Sequence, residues 1–489
     1  MTITALLAVL MLVVAGLVYA RTRTSSHPAV IMALFWFLVT ILPILAVGEA
    51  VGSIAATGYL LAAVAAFAAP SMLLHWNSAT QVAHSRQGTT APYGGRMLLT
   101  TANLMQLLCV GLMIANITKQ GFDVTAFLAN PLEVACLYLG GRYSGELTPT
   151  IFGQVATVLN YVGVSLVGVA LASRRGVVVR LASLSLAFVP SLMAVLLMAD
   201  KGTIFLAIAF FYGGVLVARV AVGRTNLLNW TTIGTCALAL AVVVPVMLLA
   251  LLNRGDGSCS DTGRTTEIFS TLTESITSVV DAPVAATTAT TDPTDTPVTV
   301  DEEPAPPDAS VAERSGGLRR AVLSYAFGHY FAFSDWFDHY FFGQPSSVTY
   351  SDPPGQTWGY WTFMAFGKIV YPEYKLPPGY FDEYVEVGGV LKTNIFTMFR
   401  GLIYDFGLVG SLLAMAGFGF VSALIYRRML HRPVAPCSQA AYILVCGAIY
   451  TSYIISLLIW NSAVAMPFGV AAALAVVAWQ RRTLSPGPR

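Results

Sequence analysis

Eleven apolar runs of about 18 to 22 residues recur along this chain, each long enough to cross a ~30 Å hydrocarbon core as a helix. They fall at residues 2–20, 28–47, 54–75, 97–117, 151–172, 181–199, 203–220, 231–251, 407–426, 440–460 and 463–479. The segments between them alternate between two chemical types. One set carries Arg21 and Arg23; Arg86 and Arg96; Arg174, Arg175 and Arg180; Arg219 and Arg224; Arg427, Arg428 and Arg432; then Arg481, Arg482 and Arg489. These six segments hold fifteen Arg, no Lys and no acid, so all 25 Asp and Glu and all five Lys fall on the other side. Short loops rich in Arg are retained on the cytoplasmic side. The expected topology therefore has the N-terminus outside and the C-terminus inside.

With 56% hydrophobic and 11% charged residues, a water-soluble globule is excluded and the fold class is an all-α polytopic integral membrane protein. The first run lacks a positive leader and its arginines follow it, so it reads as a retained span and not a cleaved signal. Cys109, Cys236 and Cys446 lie in expected spans and Cys437 is cytoplasmic. Only Cys136 and Cys259 could meet outside, and no disulfide framework or zinc spacing results. No nucleic-acid partner is expected.

Four parts follow. Residues 1–251 carry eight spans. Residues 252–316 are an extracytoplasmic Thr/Asp/Pro-rich segment, as in DAPVAATTATTDPTDTPVTVDEEPAPPDAS, with little to bury, and should be disordered. Residues 317–406 form an ordered loop dense in aromatics, SYAFGHYFAFSDWFDHYFF and QTWGYWTFMAFGKIVYPEY, expected to pack as short interfacial helices. Residues 407–489 carry three spans and the tail. No internal repeat is visible, which argues against repeat-built transporters.

The charges at the outer face are the candidate chemistry. Arg142 lies in GGRYSGE, Lys201 in the turn MADKGT, and Lys392 and Arg400 at the end of the long loop. Alone, Arg142 reads as well as a snorkelling residue, Lys201 more readily as a solvated turn pair with Asp200, and Arg400 with Tyr404 as interfacial anchors. Together these cations make an anion site at the depth of a lipid diphosphate headgroup. Arg400 and Tyr404 are one helical turn apart and share a face. His329, Asp335, Asp338 and His339 fall among aromatics, without metal-ligand spacing, so no metal is assigned. With no Walker loop, dinucleotide fingerprint or soluble nucleotide domain, no cofactor is expected and the substrate must arrive preactivated.

The segment TNIFTMFRGLIYDFGLVGS, from Thr393, resembles the stretch after the large periplasmic loop of Wzy-type O-antigen and oligosaccharide repeat-unit polymerases. SYAFGHYFAF is similar to their aromatic loop segment, and LLMADKGT looks like their Ser-Arg-Gly turn, with Lys201 where that family carries Arg. The resemblance implies a GT-C-like membrane glycosyltransferase in a bacterial inner membrane, joining polyprenyl-diphosphate-linked oligosaccharides at its outer face. Donor and acceptor would be such lipids, and a chain-length regulator is a further candidate partner.

Attack of an acceptor hydroxyl on the anomeric carbon releases a stable diphosphate anion, so stabilising that charge is the main demand. Arg400 is then the leading diphosphate ligand, with Arg142, Lys201 and Lys392 beside it and Tyr404 orienting sugar or phosphate. His329 is the first candidate base, with Asp335 and Asp338 behind it. Asp405 either binds substrate or holds Arg400 or a loop amide. A ligase moving finished glycan to another acceptor shares these features. A flippase would place charges at the bilayer midplane, whereas these runs carry none in their interiors.

Overall fold

The computed structural model describes residues 3–47, 52–87, 96–123, 150–171, 176–198, 201–227, 311–346, 348–370, 381, 383–387 and 391–484, with isolated positions 89, 92, 93, 125, 134, 137, 138, 141, 147 and 234. Helices α1 (Ile3–Thr22), α2 (Pro28–Val47) and α3 (Ile54–Leu73) pack against one another, and α4 (Asn77–His84) is a short amphipathic helix in the following connection. Next come α5 (Arg96–Lys119), α6 (Ile151–Leu171), α7 (Val177–Met198) and α8 (Lys201–Ala221), with α6 central, packed against α5, α7 and α8. The long loop contributes α9 (Val311–Phe342), α10 (Met364–Val370) and an antiparallel ribbon of β1 (Val385–Val387) and β2 (Leu391–Thr393). The chain closes with α11 (Met398–His431), α12 (Pro436–Thr451), a 3-10 turn (Leu457–Ile459) and α13 (Asn461–Leu484).

Among the described residues, nine helices are long and apolar enough to cross a membrane, which makes this a multi-pass, predominantly helical membrane protein. Seven of the expected spans correspond to α1–α3 and α5–α8, and two to α11 and α13. The expected span at 231–251 lies outside the described residues, except position 234.

The tenth expected span, 440–460, is corrected. Helix α12 stops at Thr451 after 16 residues, about 24 Å at 1.5 Å per residue. Ser452 turns the chain by bonding back to the Ile449 carbonyl, and its own carbonyl and hydroxyl accept from the Met398 amide and the Trp36 indole. Irregular backbone at this depth is tolerable because protein groups satisfy it.

Two further expectations change. Helix α9 runs for 32 residues, beginning at Val311 inside the segment assigned to disorder, and replaces the short helices expected there. Its second half sinks into the protein: residues 328–334 are buried all round, with Trp336 and Phe337 after them, packed on α2, α3 and both strands, while Phe333 and Trp336 meet Phe399 and Tyr404 of α11. The segment 252–310 lies outside the described residues, as do Cys136 and Cys259.

The Arg-bearing connections meet at one end of the bundle. Arg21 donates to the Met72 and Leu74 carbonyls at the end of α3, and Arg86 to the Leu430 carbonyl at the end of α11. Cations there neutralise the negative ends of helix dipoles. Helix α11 joins the core of α1–α3 and α9 to that of α5–α8, α12 and α13. It lies so close to α3 that a Cβ on Gly419 would stand 1.9 Å from the Phe67 carbonyl oxygen. Gly419→Val is therefore expected to destabilise by about 1–3 kcal/mol or more, read as a fall in thermal midpoint in detergent, whereas Gly417→Ala, which meets nothing, should be near neutral.

Candidate functional site

Opposite the arginine-rich end, the resemblance segment folds into β2, a short extended stretch and the first turns of α11. Gly407 breaks α11 with φ 69° and ψ 179°, backbone that suits glycine, and a Cβ there would meet Gln356 at 2.9 Å. The freed carbonyls do not go unpaired: Tyr404 and Asp405 accept from the amides of Thr357 and Trp358. Asp405 completes the docking. Its two carboxylate oxygens accept from Thr357 Oγ1 at 2.6 Å, the Trp361 amide at 3.1 Å and the Thr362 amide at 2.7 Å. Asp405 is fully buried, so of its expected alternatives the structure displays the loop-amide role.

Arg400 stands one turn earlier and is also fully buried. Its Nε donates to Tyr404 Oη at 2.8 Å, and its two terminal nitrogens reach the Glu383 carboxylate at 3.0 and 3.4 Å. Asp352 lies 3.7 Å away and accepts from both the Tyr404 hydroxyl and, at 3.0 Å, the Trp336 indole. Five rings surround the guanidinium, with Phe381 at 4.0 Å and Phe396 at 4.2 Å nearest, then Tyr350, Trp336 and Tyr404. Aromatic faces and a bidentate carboxylate are what a planar cation needs when removed from water. Burial would raise the Glu383 carboxyl, but the Arg400 guanidinium and the Ser351 amide hold it below its ordinary value.

Asp335 belongs to the same layer, accepting from Ser346 at 2.7 Å and from the Tyr350 hydroxyl. Burial, with Asp335 beside it, pushes the Tyr350 phenol up. Asp338 points elsewhere, accepting from Ser53, the N-cap of α3, and so pins α9 to the bundle.

His329 is 1% exposed, against the Tyr453 ring at 5.2 Å and beside the backbone of Ile395. It does not share the Arg400 cluster. Burial lowers its pKa from 6.5 to about 4. In the unfolded chain it protonates below 6.5 but in the folded chain only near 4. Stability from the neutral ring is therefore complete above pH 6.5 and is lost as pH falls towards 4, by roughly 3 kcal/mol. The thermal midpoint should drop between pH 7 and pH 4.5, and His329→Phe should flatten that dependence.

The remaining cations are less fully placed. Lys392 sits on β2 in register with Glu386, and Lys201 is the first residue of α8; nothing is described of either side chain. A row of rings links the α8 start to His329: Phe205, one turn after Lys201, lies 6.3 Å from Tyr450, which lies 5.7 Å from Tyr453. Arg142 is outside the described residues. Among the described residues, no three His, Cys, Asp or Glu converge as metal ligands.

Sequence reasoning missed Glu383, Asp352, Trp336 and the Phe381–Phe396 pair. The two acids lie 17 and 48 positions from Arg400 in loop segments without periodicity. Only their presence among aromatics, in SDPPGQTW and GYFDEYVEV, marked them. No protein-family model, curated protein or solved structure matches the chain.

Proposed function

We propose that this protein is a membrane glycosyltransferase of the Wzy type, with a GT-C-like arrangement of helices, which joins polyprenyl-diphosphate-linked oligosaccharides at the outer face of a bacterial inner membrane. The observation that carries this reading is the layer around Arg400. The stretch resembling those polymerases supplies a buried guanidinium, a phenol and a docking carboxylate at one end of the bundle, under exposed aromatics suited to sugar faces: Tyr340, Trp358 and Tyr384 are 41%, 79% and 56% exposed.

The roles shift from those read in the sequence. Arg400 is already matched by Glu383 and Asp352, and the three sum to a net negative charge. The diphosphate ligands are then the cations outside that cluster, Lys392, Lys201 and Arg142. Arg400 becomes the positioning residue for the carboxylates. Asp352, with its side chain 22% exposed, is the carboxylate that reaches the surface and the candidate base in place of buried His329. In the step, the acceptor hydroxyl oxygen bonds to the donor's anomeric carbon and its proton passes to Asp352. The bond from that carbon to the diphosphate breaks, and the electron pair leaves with polyprenyl diphosphate.

Asp352→Asn should keep the bonds from Trp336 and Tyr404 but lower turnover about 10²–10⁴-fold, measured as polyprenyl diphosphate released per protein. Unchanged turnover in a folded Asp352→Asn variant would remove Asp352 from the chemistry. Transfer to an added acceptor, with no self-extension of the donor, would favour the ligase reading.

A further inference from the structure

Between α5, α6 and α7 runs a row of neutral amides inside the apolar bundle. Helix α5 carries Asn103, Gln106 and Asn116, and α6 carries Asn160; Gln106 and Asn160 are fully buried and Asn116 is 1% exposed. Some of their atoms are paired. Gln106 Nε2 donates to the Asn160 carbonyl at 3.2 Å, Asn160 Nδ2 to Ser191 at 2.8 Å, Asn103 Nδ2 to Ser183 at 3.3 Å, and Thr150 to Asn116 Oδ1 at 2.6 Å. Four buried atoms have no partner among the described residues: Asn103 Oδ1, Gln106 Oε1, Asn160 Oδ1 and Asn116 Nδ2. In hydrocarbon surroundings each such group costs on the order of 1–3 kcal/mol. The sequence makes room for these side chains. Gly153 and Gly163 on α6 face them, and a Cβ there would stand 2.8 Å from Asn116 Oδ1 and 2.7 Å from Gln106 Nε2.

We propose that this seam is a binding site for internal water. Gln106 Oε1 and Asn160 Oδ1 belong to residues already joined, since Gln106 Nε2 donates to the Asn160 backbone carbonyl, and two acceptors are what one water donates to. Asn103 Oδ1 offers a further acceptor towards the arginine-rich end and Asn116 Nδ2 a donor towards the loop end, about 20 Å apart along α5 at 1.5 Å per residue. Water is the fitting ligand because the groups are neutral, enclosed and of both polarities; a cation would bring a charge that no described residue of the seam balances. Towards α8, helix α6 packs too closely at its glycines to leave room for water. There, a Cβ on Gly168 would lie 2.2 Å from the Phe211 carbonyl oxygen, and one on Gly214 2.2 Å from that of Ser165, so α6 and α8 meet backbone to backbone. Helix α6 thus meets α8 through bare backbone, whereas its contact with α5 and α7 encloses the polar atoms that the water would satisfy.

The seam has its own reporter. Cys109, fully buried, donates to the Ala156 carbonyl at 3.0 Å one turn from Gln106, and Met113 follows one turn later. Cys446, 7% exposed, lies in the apolar core beside Phe210 and Ile443 and is the internal control. Brief X-ray radiolysis of the protein in nanodiscs converts bound water to hydroxyl radicals in place. Cys109 and Met113 should be oxidised several-fold faster than Cys446, with slow uptake of label after mixing into ¹⁸O water, and Gln106→Leu with Asn160→Leu should bring Cys109 down to the Cys446 rate. If wild-type Cys109 is modified no faster than Cys446, in the order of static exposure, the seam is dry and the proposal fails, whether or not the double variant folds.

Discussion

Arg400→Ala is expected to cost about 3–5 kcal/mol of stability and, on the proposed function, to abolish glycan transfer. The loss arises less from the missing cation than from what it leaves behind: Glu383, 8% exposed at its side chain, keeps the Ser351 amide but no paired cation, and beside it Asp352 adds a second negative charge. Arg400→Lys keeps the charge but not the fork to Glu383 with a third nitrogen to Tyr404, and should fall between. The check is a double-mutant cycle with Glu383→Gln, read by thermal denaturation. Because the two partners are in direct contact, the double variant should lose clearly less than the sum of the singles. Additive losses would mean that the pair is not formed in the membrane.

The second large effect is at Asp405. Asp405→Ala strands the Thr357 hydroxyl and the Trp361 and Thr362 amides, a total on the order of 3–6 kcal/mol if each costs about 1–2. The same turn holds Trp358 at φ 49°, a left-handed conformation that a bulky residue leaves when its restraints go. The variant should therefore gain a protease cut within 354–363 before global unfolding begins, while residues 1–47 stay protected. Asp405→Asn, with one acceptor oxygen and an amide facing donors, should behave similarly but less severely. Resistance of the turn to protease in both variants would show that the break at Gly407 does not depend on this carboxylate.

The helices were legible because a bilayer imposes one requirement on all of them, and length plus apolarity meets it. Residues 28–47 and 151–172 matched α2 and α6 to within a residue. The tenth span was misread because Ser452, Tyr453 and Ser456 are compatible with a helix in composition; the tertiary bonds to Met398 and Trp36 end it. Helix α9 was underestimated for a related reason. Its buried stretch is aromatic and irregularly charged, and it is covered only when α2, α3, α11 and both strands pack on it.

The site was legible in its anchors but not in their partners. Arg400, Tyr404 and Asp405 stood out where the long loop meets an apolar run, and all three are hydrogen-bonded in the structure. Glu383 and Asp352 come from loops whose distance in sequence carries no geometric signal, so the cage that sets Arg400's role could not be read. His329 drew attention because histidine is the ordinary base near neutral pH, yet burial among Tyr453 and its neighbours makes it a core residue.

The central claim, transfer of a glycan from a polyprenyl diphosphate, is tested most directly by giving the purified protein in nanodiscs a single polyprenyl-diphosphate oligosaccharide, without nucleotide, and resolving the products by length. The account predicts a ladder spaced by whole repeat units, with one polyprenyl diphosphate released per joint and no ladder from Arg400→Ala. Unextended substrate, with no diphosphate released by a wild-type protein of intact thermal midpoint, would contradict it.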